Sequence, residues 1–377
     1  MFKTFKYRLY PTFDQERTLS DVCFLCSLVY NRCLAERIQV YKQTGKSPSC
    51  YDQIKSLPGW KKDMPRLEAA HSQVLQDAVR RLDRSYQAFF RRVAEGVAKP
   101  GFPRFKSARR YDSFTYPQSG FAVLKDGRGG RLRLSKIGTV RVLMHRPLQG
   151  SVKTLTIRRK ADRWYACFTC EVEHVPLPKT GRVVGVDLGI TNLAVTSDGE
   201  FYPPSKRLRS SERKLKQLQR AVSRKTKGSR RRQKAIRQLQ RAHEHVADQR
   251  RDQAWKAVHR LLREYDAVAV EDLQIAGMLH NRYLAKSIAD ASWGVFLAIL
   301  EAKAHEWERD VVKVDPRNTS QLCSGCGALA PKTLAQRRHV CGQCGLDLHR
   351  DVNAAVNILK RSGLDGAFAD SLATAAG

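Results

Sequence analysis

The chain has 377 residues, 42% of them hydrophobic, so it can bury more than one sizeable core and is not a disordered polymer. Lys and Arg number 69 against 36 Asp and Glu, a formal net charge of +33 whose self-repulsion demands a polyanionic partner, and nucleic acid fits because phosphate neutralisation releases condensed counterions. No apolar run is long enough to cross a bilayer and no signal-peptide core opens the sequence, so no membrane partner is expected and an intracellular protein is.

Residues 5–10 alternate basic and apolar side chains and stop at Pro11, which predicts a strand. Residues 15–39 then place Leu19, Val22, Cys23, Cys26, Val29, Tyr30, Cys33 and Leu34 at helical spacing, and 72–93 do the same through Val74, Leu75, Ala78, Val79, Leu82, Tyr86 and Phe89. A Pro- and Gly-punctuated basic loop, 99–106, follows. Its Arg104 and Lys106 suit phosphate contact. Phe102 and Phe105 beside them suit either base stacking or anchorage to the core. Short alternating segments at 131–134, 140–142, 153–157 and 164–170 predict strands that, with the first, build a small β-barrel. Residues 176–179 read as a linker.

From residue 182 the pattern is α/β. Val183-Val184-Gly185-Val186-Asp187 and Ala267-Val268-Ala269-Val270-Glu271 are apolar strands that each end on a carboxylate, with Leu193–Val195 and Glu200–Tyr202 as hairpin partners of the first. Between them, residues 206–251 carry 18 Lys and Arg against 3 Asp and Glu over a thin apolar stripe broken at Gly228-Ser229. That predicts a basic helical hairpin whose turn gathers Lys225, Lys227, Arg230, Arg231 and Arg232, a surface for nucleic-acid backbone or simply a solvated face. A helix over 293–307, a strand over 311–314 and a last helix opened by Asp351 complete the order.

Taken singly, Asp187 reads as a turn residue, Glu271 as a surface acid and Asp351 as a helix N-cap. Together, two acids at strand ends and one at a helix start form a candidate centre for two Mg²⁺ ions. Phosphodiester hydrolysis by two metals needs hard oxygen ligands from separate elements, around ions about 3.5–4 Å apart. The expectation is a metal-dependent nuclease.

Of ten cysteines, Cys323, Cys326, Cys341 and Cys344 form two Cys-x-x-Cys-Gly knuckles separated by 14 residues. Four thiolates from two tight turns predict one structural Zn²⁺ in a closed tetrahedral site. Cys23/Cys26 and Cys167/Cys170 share the spacing but lie in helix and strand patterns, so they are expected as core cysteines. His339 is expected at the surface, outside the ligand set.

These stretches resemble the TnpB proteins of bacterial insertion sequences, relatives of the type V CRISPR nucleases. The resemblance rests on Gly185-Val186-Asp187-Leu188-Gly189-Ile190, Val270-Glu271-Asp272-Leu273, residues 319–327 and, above all, Arg350-Asp351-Val352-Asn353-Ala354-Ala355-Val356-Asn357-Ile358-Leu359. Tyr7-Arg8-Leu9-Tyr10-Pro11 and Gly101-Phe102-Pro103-Arg104-Phe105 extend it over the N-terminal half. It implies an α+β multidomain fold: a β-barrel (1–15 and 107–180) interrupted by a helical recognition domain (16–106). An RNase H-like, RuvC-type nuclease domain (181–321 and 348–365) follows, with an inserted zinc ribbon (322–347) and a disordered tail (366–377). It further implies Mg²⁺ on Asp187, Glu271 and Asp351, a guide RNA from the transposon end, and double-stranded target DNA cut beside a short flanking motif. It places Gln73 and Gln76 in the region that contacts that motif, where glutamine can bond adenine edges. A cytoplasmic, nucleoid-associated protein follows, with a non-cleaving RNA-guided repressor or transposition regulator as the alternative. His349 stands where the family often has Asp.

Overall fold

The structure is a computed structural model that describes residues 1–108, 110–126, 129–204, 207–333 and 336–365. The tail expected to be disordered, 366–377, lies outside the described residues. The chain divides into two compact units, Met1–Glu173 and the remainder from His174.

In the first unit, β1 (Phe2–Tyr10) is followed by α1 (Phe13–Thr44), α2 (Cys50–Asp63) and α3 (Ser72–Ala94), and then by β2 (Ser113–Tyr116), β3 (Phe121–Asp126), β4 (Gly129–Leu134), β5 (Gly138–Leu143), β6 (Ser151–Lys160) and β7 (Arg163–Glu171). α1 begins where Thr12 and Gln15 form a reciprocal capping box and ends at Gly45 in the left-handed region (φ 69°), where glycine carries no steric penalty. Every apolar position of its predicted stripe is buried. Alternation in β1 puts Phe5, Tyr7 and Leu9 on the same buried face, and α1 and α3 cover that face in one continuous hydrophobic core. Cys23 and Cys26 lie in this core with Cys170, and burial raises their thiol pKa values, so they are inert core residues.

The predicted barrel does not close. The strands form an open antiparallel sheet in the order β2-β6-β7-β1-β5-β4-β3, and among the described residues the edge strands β2 and β3 exchange no ladder bonds. Side chains occupy the seam instead. Tyr116 packs on Phe121 and His71, with ring centroids 6.2 and 5.7 Å apart, and its hydroxyl donates to the Ser135 carbonyl. Because helices already seal the sheet's apolar face, closure is not needed to bury it.

The second unit contains β8 (Val183–Asp187), β9 (Ala194–Thr196), β10 (Phe201–Tyr202), the helical hairpin α4 (Arg207–Ser223) and α5 (Arg230–Glu264), β11 (Ala267–Glu271), α6 (Ile275–Met278), α7 (Ala285–Ala291), α8 (Trp293–Trp307), β12 (Asp310–Val314), the ribbon strands β13 (Arg338–Val340) and β14 (Asp347–His349), and α9 (Arg350–Ser362). Its five-stranded sheet has the order β10-β9-β8-β11-β12, with β8, β11 and β12 parallel and β9 and β10 antiparallel. Val184, Val186, Val268 and Val270 meet α5 and α8 on one face, while Ala269 and Val314 meet Ile358 of α9 on the other.

The expected linker is tied down by a buried ion pair. Arg309 and Asp266, both with side chains 1% exposed, meet at 3.0 Å. Arg309 also donates to the Pro178 and Leu262 carbonyls, while Asp266 accepts the amides of Thr180 and Gly181. Removing one member leaves the other charge buried and unpaired, so Asp266→Ala is expected to cost about 3–5 kcal/mol of stability, read by denaturant unfolding. A change under about 1 kcal/mol would show that the clamp is solvated.

Candidate active site

The sheet register decides the first two acids. Val186 pairs with Val270 across the parallel β8–β11 ladder, so Asp187 and Glu271 are the next neighbours at the carboxyl ends of adjacent strands, on the same face of the pleat. That face carries α9, and Gly185 makes the close approach possible. A Cβ built there would lie 2.0 Å from the Ala355 carbonyl oxygen, which is helix backbone and has no side chain to yield. With Ala355 over Gly185, one helical turn back brings Asp351 toward Asp187, two strand residues further on. The two steps are about equal in length, ~6 Å. Gly185→Ala is therefore expected to push α9 off the sheet and lower stability by about 1–3 kcal/mol, measured by chemical denaturation, with Ala194→Gly as a packing control.

Asp187 feels both other acids. Burial raises the Asp187 carboxyl well above the usual carboxylate range, the charges of Glu271 and Asp351 push it further, and Arg350 opposes them. Burial also raises Glu271, against a hydrogen bond from Thr319 and the charge of Arg361. Thr319 Oγ1 donates to Glu271 Oε1 at 2.5 Å and fixes that carboxylate. Converging, buried like charges with only hard oxygen donors suit a divalent cation, which relieves the repulsion. Among the described residues only the cysteine group has all its ligand atoms within 4.8 Å of one another. The three carboxylates do not form so tight a group among the described residues.

Each cysteine knuckle is closed by a glycine in the left-handed region, Gly327 (φ 76°) and Gly345 (φ 73°), whose amides return to the Cys323 and Cys341 carbonyls. Sulfur atoms of Cys323 and Cys344, and of Cys326 and Cys341, stand 3.6 Å apart. Tetrahedral Zn–S bonds of about 2.3 Å require about 3.8 Å between sulfurs, so the four thiols fit one zinc ion. The amides of Cys344 and Gln343 lower the Cys341 thiol, while hydrogen bonds from the neighbouring sulfurs raise that of Cys344, so the clustered thiols titrate together. His339 departs from expectation. It is fully buried, beside Lys332, because the β13–β14 hairpin folds it inward opposite Leu348.

α9 joins the two sites, and its motif shows how. Asp351 lies in its first turn, Ala354 and Ala355 pack tightly, and Asn353, Asn357 and Lys360 lie at i, i+4 and i+7 on one face. Asn353 accepts from the Ser324 amide and donates to the Leu322 carbonyl, Asn357 donates to Thr319 and Leu322, and Lys360 to Ser324. The sequence reading missed these anchors and Thr319, although the helical spacing of the two asparagines and the lysine was visible. His349 is the N-cap, its Nδ1 accepting the Asp351 amide at 3.3 Å, so it keeps the acceptor role that an Asp would have there.

The family model described as "Probable transposase" (OrfB of IS605) matches residues 167–282, and a "Cas12f1-like, TNB domain" model matches 293–358. A "Helix-turn-helix domain" model of the same OrfB group matches 1–46, which here folds as β1 and α1. A Streptomyces pristinaespiralis protein described as "Putative RNA-guided DNA endonuclease" is 35% identical over 95% of this chain and 88% of its own length. InsQ of Escherichia coli (strain K12), with the same description, is 32% identical over 95% and 91%. The chain belongs to the TnpB family. Among solved structures, a Cas12f1–sgRNA–target DNA complex superposes with a TM-score of 0.62 at 13% identity, covering 95% of this chain and 98% of that one. The mini-RNA-guided endonuclease CRISPR-Cas_phi3 gives 0.57 at 8%, covering 96% and 92%. Both show a shared fold.

The other residues that the TnpB resemblance and the basic pattern singled out fall in both units, four in the first and five in the second. Gln73 Oε1 accepts from the Ser119 amide and hydroxyl, while Gln76 is half-buried on α3. Lys106 lies over the rings of Tyr30 and Tyr111, and its backbone is held by Asn31, so it is anchored to the core, whereas Arg104 is exposed. Arg232 staples the hairpin by donating to the Val222 and Lys225 carbonyls. Lys227, Arg230 and Arg231 are exposed at its turn and Lys225 half-buried. No helix is long and apolar enough to cross a membrane, as far as the described residues go.

Proposed function

We propose that this chain is an RNA-guided DNA endonuclease of the RuvC type, cutting target DNA beside a short flanking motif with a guide RNA transcribed from its transposon end. The observation that supports the reading is that Asp187 and Glu271 end adjacent parallel strands, with Asp351 opening α9 on the same face and acting electrostatically on Asp187. These acids would hold two Mg²⁺ ions, which supply an activated water and stabilise the leaving oxygen. The chain's own residues prepare that chemistry. Thr319 orients Glu271, Gly185 sets the depth of Asp351, and Arg350 offsets part of the acidic charge. Cys323, Cys326, Cys341 and Cys344 would hold one structural Zn²⁺, and the exposed turn at Lys227, Arg230 and Arg231 would track nucleic-acid backbone by shape. The nuclease domain is assigned to 181–321 and 348–365 around the ribbon, in a protein of the bacterial cytoplasm and nucleoid.

The test is to purify the chain, sequence the RNA that accompanies it, and supply that RNA with Mg²⁺ to duplexes carrying a matched target and a randomised flank. Cleavage that needs RNA, match and flank is expected. Cleavage without RNA would replace the reading with a guide-independent nuclease, and tight binding without cleavage would replace it with the repressor.

A further inference from the structure

The first unit carries an apolar groove that neither the acids nor the zinc ribbon uses. It runs between the end of α1, the turn at 47–51 and α3, with a volume of about 970 Å³, and Phe102 closes one side. Four large aromatic side chains stand open there. Tyr41 is 60% exposed, Tyr51 65%, Phe90 60% and Phe102 47%. Single exposed apolar residues are ordinary, but four in one groove mark a binding surface.

The groove floor is preformed. Phe102 meets Tyr86 and Phe89 edge-on, with centroids 5.5 and 5.3 Å apart, and Tyr86 stacks at 28° to Phe90. Buried Arg37 sits 5.1 Å over the Tyr86 ring and is paired with Asp83 at 3.1 Å, which neutralises the one acid lining the groove. At the rim, Lys42 is exposed and Lys55 lies 4.5 Å from the Tyr51 ring, while Arg92 grips the Pro100 carbonyl and holds the loop that carries Phe102.

The occupant must suit both the rings and the charge. A second copy brings the same +33 and is repelled. A polyanion with flat apolar faces satisfies both, and unpaired bases supply them, since base–aromatic stacking combined with cationic backbone contact is how single strands are held. We infer that this groove seats unpaired bases of the guide RNA. RNA is favoured over DNA because folded RNA presents splayed loop and bulge bases continuously, whereas the target arrives as a duplex. The inference rests on the RNA-guided reading and extends it to a surface remote in sequence from the acids.

The experiment uses the full chain, labelled single-stranded RNA 12-mers of mixed sequence, the same sequence as DNA, and a 12-base-pair RNA duplex, with affinity read by fluorescence anisotropy. Phe90→Ala and Tyr51→Ala are each expected to weaken single-stranded RNA binding about tenfold while leaving duplex binding unchanged, and Phe90→Tyr to retain affinity. Thermal unfolding of each variant checks that the fold persists. Unchanged RNA affinity in the alanine variants, an equal loss on the duplex, a loss confined to the DNA 12-mer, or a dimer that the variants dissociate would each overturn the groove. Failure of the wild-type chain to bind any RNA would overturn the RNA-guided reading as well. Normal RNA binding and guided cleavage in Phe90→Ala would overturn the groove alone.

Discussion

Asp187→Ala is expected to reduce guided cleavage by at least about a thousandfold, in line with losses from single members of a catalytic charge constellation, while leaving RNA and target binding intact. A merely structural residue would also lower stability when removed, and here the opposite sign is expected. Asp187 is held above the ordinary carboxylate range by burial and then by Glu271 and Asp351. In the metal-free chain the folded state therefore keeps its proton to higher pH than the unfolded one, and stability falls as pH rises above the ordinary carboxylate pKa. Asp187→Asn removes the Asp187 part of that slope, leaving that of Glu271, and should raise the neutral-pH unfolding free energy of metal-free protein while abolishing the stabilisation that Mg²⁺ gives the wild type. If the Asn variant is less stable and still cuts, the acidic centre lies elsewhere.

Cys341→Ser should take bound zinc from about one equivalent per chain to none, because one four-sulfur site holds one ion. The consequence is not confined to the ribbon. Structural zinc sites are worth on the order of 10–16 kcal/mol to the small modules they fold. The knuckle at Leu322 and Ser324 also holds α9 through Asn353, Asn357 and Lys360. With the knuckle unfolded, those partners go and Asp351 loses its support, so cleavage should fall together with hydrogen-exchange protection in 350–358. The open β-sheet of the first unit should be unaffected. Loss of zinc with normal protection and cutting would show that α9 is held by Gly185 packing alone. The Asn353→Ala, Asn357→Ala double variant separates these outcomes, since it keeps zinc but cuts the tie.

Much of this was legible because it is local. Period-two and helical spacing gave β1, α1, α3 and the strands ending on Asp187 and Glu271, with α8 matched end to end. Two knuckles with a following glycine specify a tetrahedral sulfur site wherever they occur. α2 escaped because Pro58 and Gly59 interrupt its interior, yet Ser49 and Asp52 cap it and Leu57 and Trp60 bury it, so tertiary packing overrides propensity. His339 escaped because burial in a three-residue hairpin strand follows from its partner, not from its own neighbours in sequence.

What the sequence determined by itself is the inventory: a polycation, three acids at element ends, four thiols in two turns and the family motif that links them. Only the tertiary structure decided their relations. Strand register made Asp187 and Glu271 neighbours, Gly185 let the helix that carries Asp351 pack closely on the same face, and side chains in the seam left the sheet open where a barrel was expected. The physical reason is the same in each case. Hydrophobic periodicity fixes which face of an element is buried, but what it meets across the core depends on contacts far apart in the chain.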